Sequence, residues 1–315
     1  VIVIVISIIL LIIIVLIYLK NSSNTVTIVG PVSFTYFQKN DSTVPNIIVF
    51  DYNVENIVAD SFFIVESTND YKRKQLNVKK GQMTSAYFNP GNYEAFLVAD
   101  DSIIKKLNIE ILSNSWVAMI TYTSLPKNVP FYFYEADIIN NDKLGITKNM
   151  IDDSKFNITD KLQLTLSNTF NCSLTSNNDF TFKTKIKLQS VRITESCPRI
   201  YLGLLFEHDL CYIPLIYNGG QDKLQLKYGS TYQTSNDSDL SGFGCNIYEW
   251  QEIKLVSTDS MINISLNNTI VTTLIDSTNM GKFRGFSFTF DGIGMVDYIS
   301  MITHKRDTIY YNTFQ

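Results

Sequence analysis

The chain has 315 residues, a formal net charge of −4 and a pI near 5.3, room for a membrane span and about two domains of ~100–200 residues each. Eighteen Tyr and 20 Phe against 2 Trp favour strands over helices, and no Lys/Arg-rich stripe is evident along the chain to offer a nucleic acid a concentrated basic surface. Only two histidines, His208 and His304, and no C-x-x-C pair among Cys172, Cys197, Cys211 and Cys245 exclude a multi-histidine zinc site and a thioredoxin-like centre.

Val1 to Leu19, VIVIVISIILLIIIVLIYL, carries no charge, and only Ser7 and Tyr18 are polar. Nineteen residues at ~1.5 Å rise span ~28 Å, close to the thickness of a hydrocarbon core. Residues 1–19 are therefore predicted to form a single transmembrane helix, since in lipid the backbone must satisfy itself. Tyr18 and Lys20 suit its interface. A cleavable signal peptide would have a shorter apolar run and a small-x-small site, which Lys20-Asn21-Ser22-Ser23 does not supply. The run opens at Val1 without an initiator Met, so upstream sequence is expected and charge leaves the orientation unset. The soluble part is expected outside the cytoplasm, in the periplasm or on the cell surface.

Residues 24–122 then read as a first β-sandwich of short alternating strands, from Thr25–Val29 through Tyr93–Ala99 and Ile103–Ile111 to Trp116–Tyr122. Turn signals punctuate them at Gly30-Pro31, Asn40-Asp41, Asn69-Asp70 and Pro90-Gly91. The segment Pro90-Gly91-Asn92-Tyr93-Glu94-Ala95-Phe96-Leu97-Val98 resembles the P-G-x-Y-x-hydrophobic strand of PKD-type immunoglobulin-like domains. That resemblance implies an extracellular spacer whose Tyr93 packs across the end of a core.

Two prolines, Pro126 and Pro130, mark residues 123–130 as a semi-rigid linker, with Phe131–Tyr134 as the first strand beyond it. Residues 131–308 read as a second sandwich, followed by a tail, 309–315. Its clearest strand is Phe180–Leu188, where Phe180, Phe182, Thr184, Ile186 and Leu188 face one way and Thr181, Lys183, Lys185 and Lys187 the other. Ile200–Phe206, Cys211–Tyr217, Trp250–Val256 and Phe286–Phe290 follow, with a hairpin about Asn267-Asn268, residues that tolerate the positive φ of a tight turn. The order of the Phe180 strand, Trp250–Leu255, the Asn267-Asn268 hairpin and Gly294-Met295-Val296-Asp297-Tyr298-Ile299 resembles the concanavalin-like jelly rolls, laminin-G-type lectin modules included. The fold class expected is all-β: a transmembrane helix, a PKD-like sandwich and a concanavalin-like jelly roll. That pairing behind one anchor resembles bacterial membrane-anchored envelope proteins.

No catalytic constellation stands out. Jelly-roll glycosidases carry carboxylates at i, i+2 on one strand. Here Glu207/Asp209 fall at a predicted turn, Glu135/Asp137 on an entry strand and Asp237/Asp239 in a polar loop. No G-x-S-x-G elbow accompanies either histidine. Lectins of the resembled type hold sugars with loop carboxylates, amides and aromatic rings. The loops around 217–222 and 232–243 have those residue types in Tyr217, Asn218, Asp222, Tyr232, Asn236, Asp237 and Asp239. Calcium needs six to eight oxygens, of which the second loop could supply several, but no metal site and no cofactor are expected. Trp250 is read as core by its strand position, and the four cysteines equally as disulfides or as small buried hydrophobes. The function expected is recognition of a glycan or an envelope protein by the distal jelly roll, with membrane contact through residues 1–19. The alternatives are a glycan-cleaving enzyme and a receptor with a cytoplasmic output segment.

Overall fold

The computed structural model describes residues 26–39, 44–67, 72–122, 129–153, 161–189 and 197–315. The apolar run 1–19, and the linker apart from Val129 and Pro130, lie outside the described residues. Among those described, no helix is long and apolar enough to cross a membrane. The described chain is all-β, arranged as two compact units.

The first unit draws on residues 26–39, 47–85 and 93–109. Its strands are β1 (Thr27–Ile28), β2 (Ser33–Gln38), β3 (Asn46–Asn53), β4 (Ile57–Val58), β5 (Phe62–Glu66), β6 (Lys72–Gln75), β7 (Lys80–Tyr87), β8 (Gly91–Ala99) and β9 (Ser102–Ile111). They form a three-stranded sheet, β2-β3-β7, and a four-stranded sheet, β6-β5-β8-β9, beside the short β1-β4 pair. Alternation does the work: Ile48, Phe50 and Tyr52 on one sheet, and Ile64, Ala95, Leu97 and Ala99 on the other, are buried. Phe34 stacks on Phe50 at 5.6 Å. Tyr93 is half-buried in β8, and burial pushes its phenol up to about 12.

The second unit is the larger sandwich. Its strands are β10 (Val117–Tyr122), β11 (Phe131–Tyr134), β12 (Ile139–Asn140), β13 (Lys143–Gly145), β14 (Leu162–Thr169), β15 (Phe180–Gln189), β16 (Arg199–Phe206) and β17 (Leu210–Tyr217). After them come β18 (Gln225–Tyr228), β19 (Thr231–Thr234), β20 (Gly244–Cys245), β21 (Gln251–Thr258), β22 (Met261–Leu266), β23 (Thr269–Ile275), β24 (Phe283–Phe290), β25 (Ile293–Thr303) and β26 (Thr308–Asn312). Two short helices, α1 (Glu135–Ile138) and α2 (Lys148–Asp153), interrupt them. One nine-stranded sheet runs β11-β10-β14-β24-β16-β17-β18-β19, with β20 beside β17; an eight-stranded sheet runs β12-β13-β25-β15-β21-β22-β23, with β26 beside β25. The chain passes repeatedly from one sheet to the other, and β24 returns late to lie between β14 and β16, a jelly-roll order.

Phe180, Phe182, Ile186 and Leu188 from one sheet share a single buried core with Leu202, Leu204, Phe286, Phe288 and Phe290 from the other. The Asn267-Asn268 turn has φ of 49° and 68°, as its residues imply. All four cysteines are unpaired. Cys211 is wholly buried and its thiol is driven well above the usual range; burial pushes Cys245 up to about 12.

Three expectations change. The strand at 116–122, placed in the first sandwich by its sequence neighbours, pairs instead with β11 and β14 of the second. Both faces of this strand are buried, so Trp116-Val117-Ala118-Met119-Ile120 reads as a continuous apolar run whose alternation assigns it to neither core. The expected tail is ordered: β26 pairs with β25, and Phe314 packs edge-on against Trp116 at 6.1 Å. Trp116, not Trp250, is the core indole. It is fully buried against Phe286 and Phe288, and its Nε1 donates to Tyr310 Oη at 2.8 Å. Trp250 is half-buried ahead of β21 and lies under Lys187 and Lys185, whose Nζ atoms are 4.8 and 5.9 Å from its ring centre.

Candidate functional site

The face of the nine-stranded sheet turned away from the core carries a distinct set of residues. Along β14, Leu164 and Leu166 enter the core while Thr165 and Ser167 face out; along β24, Phe286, Phe288 and Phe290 enter while Ser287 and Thr289 face out. The same alternation puts Tyr201 and Gly203 of β16, and Tyr212 of β17, on that outer face. Antiparallel register aligns these positions across strands. One row reads Met119, Thr165, Thr289, Tyr201 and Pro214; the next reads Val117, Ser167, Ser287, Gly203, Tyr212, Lys227 and Tyr232.

The floor is therefore made of small hydroxyl side chains. Thr165 and Thr289 share a hydrogen bond of 3.1 Å, and Ser167 Oγ donates to the Phe286 carbonyl at 3.1 Å. Gly203 leaves the row low, since a Cβ there would already touch the Ser287 side chain at 3.4 Å. Beside the floor the Tyr201 and Tyr212 rings stack at 4.5 Å and 17°. Burial drives both phenols above their ordinary range, so both keep their protons and can donate at neutral pH.

At the end of the sheet where β16 begins, Arg199 Nε donates to Asp291 Oδ2 at 3.0 Å, and the Arg199 backbone N–H donates to the same oxygen at 3.1 Å. Gln163 Nε2 donates to Asp291 Oδ1 at 3.4 Å. The guanidinium carbon also lies 5.4 Å from the Tyr201 ring centre. Further along, Lys227 pairs with Asp209, and Tyr232 stands exposed at the sheet edge. A polar floor, a rigid aromatic wall and a fixed amide, guanidinium and carboxylate at one end form a surface that can donate to and accept from many hydroxyl groups at once.

The loop residues singled out by sequence sit in several places. Tyr232 lies in β19 and joins the second row of this face. Tyr217 ends β17, edge-on to Tyr248 at 5.5 Å, at the same end of the sheet as Arg199; Asn218 follows it in the turn. Asp222 is exposed in a single 3₁₀ turn, Gln221–Lys223. Asp237 and Asp239 each cap a turn, accepting from the backbone N–H of Thr234 at 2.8 Å and of Ser241 at 2.9 Å. The backbone bond from Thr234 holds the Asp237 carboxyl below its ordinary range, and the Ser241 side chain, ahead of its backbone N–H, does the same for Asp239. Among the described residues, no three His, Cys, Asp or Glu side chains converge so as to hold a metal.

Of the i, i+2 acid pairs, Glu207 and Asp209 occupy the β16–β17 turn, as expected, but they are engaged there. Glu207 accepts from the Lys282 backbone N–H at 3.3 Å and from Arg284 at 3.4 Å, and this backbone bond, ahead of Arg284, holds its carboxyl below the ordinary range.

Sequence reasoning missed Arg199, Tyr201, Tyr212, Thr165, Thr289 and Asp291. The available signal was the phase of alternation. In Phe286-Ser287-Phe288-Thr289-Phe290 and Leu164-Thr165-Leu166-Ser167, the positions opposite the core are hydroxyl residues rather than charged ones.

No family model and no curated protein match the chain. Among solved structures, an alginate lyase from Corynebacterium sp. is 11% identical at a TM-score of 0.34, covering 58% of this chain and 90% of that one. A structure from work on the promiscuous specificity of carbohydrate-binding modules of the β-sandwich superfamily is 11% identical at 0.23, covering 87% and 99%. A sialidase is 8% identical at 0.35, covering 85% of this chain and 28% of that one. With every TM-score below 0.5, these likenesses carry no argument, and the reading of this face rests on its own geometry.

Proposed function

We propose that the second unit is a glycan-recognition domain whose binding surface is the outer face of the nine-stranded sheet. The observation that carries the proposal is the row of half-buried hydroxyls of Thr165, Ser287 and Thr289 lying beside the Tyr201–Tyr212 stack, with the buried Ser167 bonded to the Phe286 carbonyl beneath them. A pyranose presents an apolar ring face and a rim of hydroxyls. The tyrosine wall matches the first and the floor the second, each hydrogen bond netting about 0.5–1.5 kcal/mol.

In this reading the domain binds and does not cleave. Glycoside hydrolysis needs one carboxyl with a raised pKa beside a second one that is free to act. Glu207 is held in the opposite direction, and both oxygens of Asp291 already accept hydrogen bonds. The first unit then serves as a PKD-like spacer and residues 1–19 as a single membrane anchor, with both units outside the cytoplasm. The Pro90–Val98 motif and the uncharged apolar run support that arrangement. Alkaline carbonate extraction of membranes should leave the full chain in the pellet, and its release would remove the anchor.

A glycan array probed with the full chain tests the main reading. Saturable signal on a defined set of saccharides is expected, with no release of reducing ends on incubation. An array silent throughout, or turnover of a bound saccharide, would overturn it.

A further inference from the structure

The other outer face of this sandwich carries a different chemistry. Along β15, Lys183, Lys185 and Lys187 point away from the core, spaced at ~6.7 Å for alternate residues of a strand. Strand register then sets Lys254 of β21 directly opposite Lys183, and Glu252 opposite Lys185. Two lysines facing each other across an antiparallel pair repel. Their neighbours have counter-charges: Lys143 Nζ lies 2.6 Å and Lys185 Nζ 3.8 Å from Asp297 carboxylate oxygens. Among the described residues, Lys183 and Lys254 form no ion pair; Lys187 instead lies against the Trp250 ring. No basic stripe is evident along the chain, yet the fold assembles one.

On the β25 side of Lys183 the surface opens into a cleft of about 480 Å³, lined by Lys183, Ser300, Tyr298, Tyr311, Thr313 and Gln315 together with Asp142 and the Lys143–Asp297 ion pair. Tyr311 is exposed, and the Tyr298 hydroxyl donates to Glu252 at 2.8 Å. Burial and that carboxylate keep Tyr298 protonated well beyond neutral pH. The hydroxyl, amide and phenol groups of the lining pair with sugar hydroxyls and offer little to lipid tails; its carboxylates are Asp142 and Asp297, the latter countered by Lys143 and Lys185.

We infer that this face is a second binding site, distinct from the hydroxyl floor, for an acidic polysaccharide bearing carboxylate or sulfate groups. Lys183 and Lys254 would take one anionic substituent between them, relieving their repulsion. The sugar to which it is attached would lie along the cleft over Ser300 and Tyr311. The lysine row extends ~13 Å from Lys183 to Lys187, long enough to engage successive residues of a polymer where a lone small anion would engage one end.

The test uses the full chain in a neutral, sugar-free detergent, with polygalacturonate, heparin, neutral dextran and phosphatidylglycerol vesicles as probes. Polygalacturonate or heparin should bind, at least tenfold more weakly at 500 mM than at 50 mM NaCl, and dextran should not. Lys183→Gln with Lys254→Gln should weaken the acidic polymer at least tenfold and leave the melting temperature unchanged or raised. Tyr212→Ala, on the opposite face, should leave this binding intact, which separates failure here from failure of the first site. Equal binding by wild type and the double variant would overturn the inference, as would binding to the vesicles alone or to none of the probes.

Discussion

The two tryptophans show how one residue type meets two fates. Trp116 lies at the meeting of β10, β24 and the C-terminal strand, stacked near Phe286 at 6.4 Å and satisfied by Tyr310. Trp116→Ala should destabilise the second unit by ~3–5 kcal/mol through lost contacts and a cavity, read from chemical denaturation. Trp250 is only half-buried and its lysine contacts are each worth ~0.5–1 kcal/mol. Trp250→Ala should therefore cost about 1–2 kcal/mol, less than the loss at 116. A larger loss at 250 than at 116 would contradict the packing described. Sequence reasoning placed Trp250 in the core and passed over Trp116, because strand position says which face a residue points to only once the strand's partners are known. Trp116 was separated from its partners Phe286 and Tyr310 by more than 160 residues, and nothing local marks such a distance.

At the scale of elements, the two sheets are clipped together by one carboxylate. Asp276 follows β23 and is buried. It accepts from the Thr231 backbone N–H at 2.8 Å and Oγ1 at 2.7 Å, from Ser230 Oγ at 3.1 Å and from the Thr278 backbone N–H at 2.7 Å. The turn that delivers Ser230 relies on Gly229, which has φ +55° and no room for a Cβ beside Thr278 and Asp276. Burial pushes the Asp276 carboxyl up, but its hydrogen bonds outweigh this and the net shift is downward. A depressed folded pKa gives stability that is present above the unfolded value of ~3.9 and lost as pH falls through the folded one. Asp276→Asn should cost ~1.5–3 kcal/mol at pH 7. The gap in melting temperature between wild type and variant should narrow below about pH 4. A gap independent of pH would show that the charge plays no part. This clip was invisible in the sequence, because Asp276-Ser277-Thr278 reads as an ordinary polar turn. The β15 strand and the Asn267-Asn268 hairpin were legible, since their alternation and turn chemistry are local.

For the molecule as a whole, the larger sandwich presents two dissimilar outer faces on one shared core. The nine-stranded sheet offers neutral hydroxyls beside stacked rings, the eight-stranded sheet a row of lysines beside a cleft. Both were partly written in the alternation of β14, β24 and β15, yet a binding face needs several strands in register, and only folding supplies that. The loops favoured by sequence, around 217–222 and 232–243, bring Tyr232 alone onto the hydroxyl face, while Asp237 and Asp239 are occupied in capping their own turns. Calorimetric titration of the full chain with its preferred neutral saccharide, wild type against Tyr212→Ala, Thr289→Ala and Asp237→Asn, tests the placement most directly. Tyr212→Ala should weaken binding at least tenfold and Thr289→Ala about threefold to tenfold, with unfolding midpoints showing that each variant remains folded. Asp237→Asn should bind as wild type does. Full affinity in Tyr212→Ala, with loss in Asp237→Asn, would move the site off the nine-stranded sheet to the loop and contradict the account.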